Sequence, residues 1–345
     1  MSRWKARMAT AALAAAGLLG ALFVGEVAVR LYEGDPLLPL IPPEPYVDNA
    51  VLYRPNPTRR YDLRPGVDAV VGRDAVRIRI NAAGFRDDAD PPEEKPPGTF
   101  RVVVLGDSFT FAGKVPLADT MVKRLESRLQ AGDPARRYEA LDMAVPGYNS
   151  EQEAVLLEEV GLRYHPDVVI LAFVLNDGLP AGQLVPRHAR LPEPVRRVLK
   201  RSYLVQFLYD HEKRLRSEWR KGTFKGASEV EDLTPGAAGF GRVEAALDRM
   251  RHATARQGVP LVVAVWPMFE RLSAYPFSEQ HALVAEACGR LAIPVLDLLP
   301  SFRGHEASEL WVARDDHHPN ALAQRLAADR LAEELRRLGL VPPAS

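Results

Sequence analysis

From Phe100 onward, short apolar runs alternate with amphipathic stretches, and this alternation restricts the possible folds more than any other feature of the chain. The runs fall at Val102–Leu105, Ala140–Ala144, Val168–Val174, Pro260–Val265 and Ile293–Leu296. Helix-period segments lie between most of them, at Leu117–Gln130, Glu151–Tyr164, Val243–Gln257 and Glu279–Leu291, and a last helix covers about Ala321–Leu338. Apolar strands without strict alternation need cover on both faces, which a parallel sheet flanked by helices supplies. Right-handed crossovers then give a three-layer α/β/α sandwich. In such sheets, sites gather at the carboxyl ends of the strands.

The first hundred residues read differently. Met8 to Gly25 carry no charge, and Arg3, Lys5 and Arg7 precede them. Eighteen helical residues span roughly 27 Å, close to the ~30 Å hydrocarbon core of a bilayer. The apolar pattern continues through Val27, Val29 and Leu31 without a well-placed small-x-small cleavage site, so an uncleaved signal anchor over residues 8–32 is expected. A cleaved signal peptide is the competing reading. Basic residues on the amino-terminal side leave residues 1–7 as a cytoplasmic tail. The rest would then face the periplasm of a bacterial inner membrane, or be secreted if the segment is cleaved.

Residues 33–98 form a proline-punctuated lead-in, with short strands expected at Val70-Val71 and Val76–Ile80 and a turn at Asn81–Gly84. The main domain covers residues 99–345. Within it, residues 180–238 break the alternation and are strongly basic, including Arg196, Arg197, Lys200, Arg201, Lys213, Arg214, Arg216, Arg220, Lys221 and Lys225. This insertion is either a solvated helical face or a lid or patch for an anionic lipid or polymer.

Lys plus Arg and Asp plus Glu number 45 each, so no global field points to nucleic acid. Cys288, the single cysteine, excludes an internal disulfide and a cysteine metal cluster, and its setting reads as a small buried thiol. No cofactor is expected. The two His and two Asp of residues 315–318 admit a metal reading, but adjacent side chains diverge and no second ligand group appears elsewhere.

Three strand ends and one helix start carry the chemistry. The first strand runs into Gly106-Asp107-Ser108-Phe109, where a serine before a helix can present its hydroxyl to the cleft beside free N–H groups. Asp and Ser are also ordinary helix caps, so this string alone is weak. Asp315-Asp316-His317-His318-Pro319-Asn320 precedes the last helix, and Asp315 and His318, three apart, can present a carboxylate and an imidazole together. Asp316 and His317 read as turn residues or outer neighbours. Gly147 and Asn176, after the second and third strands, can add a backbone and a side-chain donor to the Ser108 N–H.

Ser, Gly, Asn and Asp-x-x-His in this order resemble the SGNH (GDSL-type) hydrolase family over about Phe100–Leu338. The resemblance implies a flavodoxin-like five-stranded parallel sheet and a serine hydrolase acting on esters. It implies Ser108 as nucleophile, Asp315 and His318 as its partners, and Ser108, Gly147 and Asn176 as oxyanion donors. Val174 departs from it, standing where the family's third block has glycine. The segment Asn81-Ala82-Ala83-Gly84-Phe85-Arg86 resembles one found upstream of the catalytic domain in anchored bacterial members. It implies a docking role, with Arg86 as a substrate contact. Relatives of this kind act on O-acylated sugars, lipids or thioesters. A polysaccharide O-acyl (acetyl) hydrolase or transferase is therefore the first expectation, a lipid esterase the second, and a degenerate glycan-binding scaffold the third.

Overall fold

The computed structural model describes residues 3–33, 49–71, 75–181, 202–205, 207–208, 230, 232–313 and 316–343. The chain divides into two compact units, one of Met1–Pro45, Gly72–Ala75 and His188–Gly222, the other of the remaining residues. Most of the basic insertion lies outside the described residues.

In the smaller unit, helix α1 (Arg3–Glu33) contains a stretch, Arg7–Tyr32, long and apolar enough to cross a membrane. Leu13, Leu18, Leu19 and Phe23 are exposed along it. Its last turns make specific contacts instead. The Glu26 carboxylate accepts from the N–H groups of Tyr203 and Leu204, both at 3.0 Å, and from the Ser202 hydroxyl at 2.8 Å. Arg30 bonds Glu26 at 3.2 Å and lies over the Tyr203 ring. Gly25 lets Leu204 approach, since a Cβ there would come within 2.9 Å of it.

The larger unit begins with two antiparallel hairpins, β1 (Tyr53–Asn56) with β2 (Arg60–Leu63) and β3 (Asp68–Val71) with β4 (Val76–Arg79). The sheet follows: β5 (Thr99–Gly106), β6 (Arg137–Asp142), β7 (Val168–Phe173), β8 (Leu261–Val265) and β9 (Val295–Asp297), all parallel, in the order β6-β5-β7-β8-β9. The five apolar runs of the sequence are these five strands. Every residue of β5, β7 and β8 is buried, as two-sided cover demands, whereas the edge strand β9 buries only Leu296.

The layers are completed by α2 (Ser108–Phe111), α3 (Met121–Gly132), α4 (Ser150–Glu159), α5 (Ala238–Ala255), α6 (Ser278–Arg290) and α7 (Ala321–Arg337). Side-chain caps start four of them: Asp107 on α2, Thr120 on α3, Asn149 on α4 and Asn320 on α7. Cys288 is buried in α6, and burial pushes its thiol up to about 12.

One buried amide registers the last helix on α2 and α3. Gln324 of α7 accepts from the Met121 N–H at 2.7 Å and donates to the Phe109 carbonyl at 2.7 Å. Gln324→Ala would strand both main-chain groups in the core. A loss of about 2–4 kcal/mol is expected, read from urea denaturation of the purified protein.

Candidate active site

Strand β5 ends at Gly106, where the chain turns under α2. A Cβ at Gly106 would lie 2.5 Å from Thr110 Oγ1 and 3.3 Å from the Ala172 carbonyl, so only glycine permits this approach. Asp107 caps the short helix by accepting the Phe109 N–H at 2.8 Å. Ser108 thereby stands at the first helical position, with its hydroxyl toward His318.

The last strand pair is β10 (Trp311–Ala313) with β11 (Asp316–Pro319), an irregular antiparallel hairpin just before α7. Sequence reading treats this segment as a turn and pairs Asp315 with His318. Asp315 lies outside the described residues, and the carboxylate found against His318 is that of Asp316. Within a strand, residues two apart share a face, so Asp316 and His318 project together and His317 projects away. His317 stacks on Trp311 with ring centroids 3.7 Å apart and reaches Glu270 at 3.2 Å.

His318 Nδ1 lies 2.5 Å from Asp316 Oδ1, and His318 Nε2 lies 2.8 Å from Ser108 Oγ. With the Nδ1 proton donated to the carboxylate, Nε2 is left to accept from the serine hydroxyl. Lys114 closes the far side, its Nζ 2.7 Å from Asp316 Oδ2. The Asp316 carboxyl is half-buried, and the partial desolvation opposes its charge. The His318 and Lys114 contacts outweigh that and hold it well below the usual carboxylate range. Burial pulls His318 down, but the hydrogen bond and charge of Asp316, with Asp107 behind, raise it above its ordinary value, while Lys114 opposes the rise.

The three donors expected from the sequence are Ser108, Gly147 and Asn176. The N–H groups of Ser108 and Gly147 have no protein acceptor among the described residues. Gly147 sits at φ +79°, a conformation that favours glycine. Asn176 is buried, and its Nδ2 lies 3.5 Å from Asp107 Oδ2, a distance that leaves the amide available. Val174 has extended backbone (φ −117°, ψ 149°) and is fully buried, so a side chain is accommodated where the resembling family carries glycine. Beneath the donors, burial drives Glu153 and Asp177 well above the normal range, and Asp177 also feels the charge of Glu153.

The lead-in is built into this site. Arg86 is not a substrate contact: it is buried and donates to the carbonyls of Phe111, Ala112 (2.7 Å) and Val115 (2.6 Å). It thus fixes the loop that carries Lys114. Neither Lys114 nor this clamp is visible in sequence, because no local pattern announces a contact between residues 86 and 111–115.

A family profile described as the GDSL-like lipase/acylhydrolase family matches residues 104–326. The chain belongs to the GDSL-like lipase/acylhydrolase family. As a GDSL-like member it is a hydrolase of ester bonds. Among solved structures it is similar to an acetyl-xylooligosaccharide esterase mutant from Geobacillus stearothermophilus, at 15% identity and TM-score 0.46, covering 71% of this chain and 97% of that one. A hydrolase from the metagenome of Lake Arreo, Spain, is similar at 17% identity and TM-score 0.44, covering 70% and 96%. A two-domain esterase active on acetylated mannans gives 12% identity and TM-score 0.45, covering 72% and 52%. No curated protein matches the chain.

Lys114 offsets the charge of Asp316, so removing it strengthens the hold of the carboxylate on the His318 proton. Lys114→Gln is expected to move the acid limb of ester hydrolysis upward by about half a pH unit, measured as kcat/KM against pH. In both proteins activity is expected to fall as pH drops if His318 must accept the Ser108 proton.

Proposed function

We propose that Ser108 is the nucleophile of an acyl hydrolase, with His318 as general base and Asp316 as the acid that orients it. The observation that carries this reading is the continuous pair of hydrogen bonds from Asp316 through His318 to Ser108. His318 takes the hydroxyl proton as Ser108 Oγ attacks the ester carbonyl carbon. The oxyanion is held by the N–H groups of Ser108 and Gly147 and by the Asn176 amide. His318 then protonates the leaving alcohol, and water or an acceptor hydroxyl releases the acyl group by the reverse sequence.

The His318 side chain is 43% exposed, so this centre lies near the surface of its unit. Such a centre suits a small acyl group on a bulky polar carrier, and the favoured substrate is an O-acetylated carbohydrate. One observation favours a lipid ester instead: Ser202, Tyr203 and Leu204 of the insertion dock on the end of the apolar helix. Those contacts also support an uncleaved anchor, because cleavage would discard the helix turns that Ser202–Leu204 need. The anchor is read as single-pass, with the amino terminus cytoplasmic and the larger unit extracytoplasmic.

Two measurements test these readings. Ser108→Ala and Asp316→Asn should each lower kcat by about 10³-fold or more, while Asp315→Asn stays within a few-fold of the unchanged protein. Full activity of Ser108→Ala would remove the assignment, and a silent Asp316→Asn with a dead Asp315→Asn would return the acid to Asp315. Acetate release from acetylated xylan or mannan, compared with release from long-chain acyl esters, decides the substrate. Separately, intact-mass analysis of the membrane fraction should find the amino-terminal segment still attached.

A further inference from the structure

The Gly147 N–H and the Pro146 carbonyl belong to the same peptide plane, so whatever grips one oxygen aims the other group. Two phenols from the lead-in grip it. Tyr53 Oη donates to the Pro146 carbonyl at 3.3 Å and Tyr61 Oη donates to it at 3.2 Å, across 93 and 85 residues of chain. Both come from the first hairpin, β1–β2, and their rings pack edge to face at 5.0 Å. Tyr148, on the other side of Gly147, is locked to the same hairpin. Its hydroxyl, with one proton to give, lies 2.5 Å from the Tyr61 carbonyl and 2.7 Å from the Asp62 carboxylate, and its ring packs on Tyr61 at 5.3 Å. Asp62 in turn is held by Arg59, and the Arg59 carbonyl accepts from Gln152 of α4 at 2.7 Å. The turn Pro146-Gly147-Tyr148 is therefore gripped on both sides by one hairpin, while the Gly147 N–H has no protein acceptor among the described residues.

From this geometry we infer that Tyr53 and Tyr61 are positioning residues for oxyanion stabilisation: their hydroxyls hold the Pro146 carbonyl so that the Gly147 N–H stays aimed at the developing oxyanion. The inference rests on the proposed role of Gly147 and adds the hairpin to the machinery. Two donors on one carbonyl also polarise the peptide, which strengthens its N–H as a donor. Burial pushes both phenols upward, so each remains a hydroxyl donor across the working pH range. The lead-in then has a catalytic purpose beyond joining an anchor to a domain.

The test is the double variant Tyr53→Phe/Tyr61→Phe in the full chain, with Ser108→Ala alongside. Phenylalanine keeps the ring packing and removes only the hydroxyls. The inference expects kcat to fall about tenfold or more with KM within about twofold, and phosphonylation of the active serine to slow in step. The single variants should show smaller losses of the same kind. Thermal melting and active-site titration report the folded fraction, to which kcat is normalised. A double variant with unchanged kcat per active site overturns the inference, as does one that loses only stability. Should the double variant fail to fold, unchanged kcat in both single variants overturns it and reduced kcat at constant KM supports it. An active Ser108→Ala protein would instead bring down the triad reading, so the two failures are distinct.

Discussion

The hydrogen bond between Ser108 Oγ and His318 Nε2 joins residues 210 positions apart, and the architecture around it serves to make that contact. One partner hangs on the carboxyl end of a fully buried central strand, the other on a small hairpin just before the last helix. Neither element touches the other in sequence, so their relation is set by packing. Gln324 bonds the start of α3 and Phe109 of α2 from within α7, and Asn320 caps α7 immediately after β11. Interiors pack too densely to allow a graded slip. The hairpin therefore reaches the serine at hydrogen-bonding distance because the helices behind it are pinned.

A second layer of support comes from outside the sheet. Arg86 gathers three carbonyls of the 111–115 loop, and Lys114 on that loop pairs with the second oxygen of Asp316. Tyr53, Tyr61 and Tyr148 tie the 146–148 turn to the first hairpin. Residues that look like a spacer between membrane and enzyme thus hold two of the loops around Ser108. An ester-hydrolysing site needs donors fixed before charge develops, since reorganising them during the reaction costs rate. Buried Arg86, and the hairpin contacts of buried Tyr148, tie that rigidity to the lead-in.

Much of this was legible in the sequence, for physical reasons. Strands buried on both faces must be apolar throughout, so Val102–Leu105, Ala140–Ala144 and Val168–Val174 declared themselves, and Gly106, Ser108, Gly147 and Asn176 followed beyond their carboxyl ends. What the sequence did not show is the Asp316–His318 contact and the contacts that are long-range; Asp315 itself lies outside the described residues. Residues 315–320 read as a turn with a spacing of three, yet 316–319 pair as a strand, whose period of two brings Asp316 to His318. The alternation of Asp316 and His318 about His317 was the available signal. Lys114, Tyr53 and Tyr61 carried none, because their partners are fixed by tertiary packing.

Mapping the site of a covalent adduct tests the central claim most directly. The protein is treated with a fluorophosphonate at a pH above the acid limb, digested, and its peptides are sequenced by mass spectrometry. The account predicts one adduct, on the peptide containing Ser108, formed only by folded protein and suppressed when His318 is protonated at lower pH. An adduct on a different serine, or an active protein that leaves Ser108 unmodified, would contradict it.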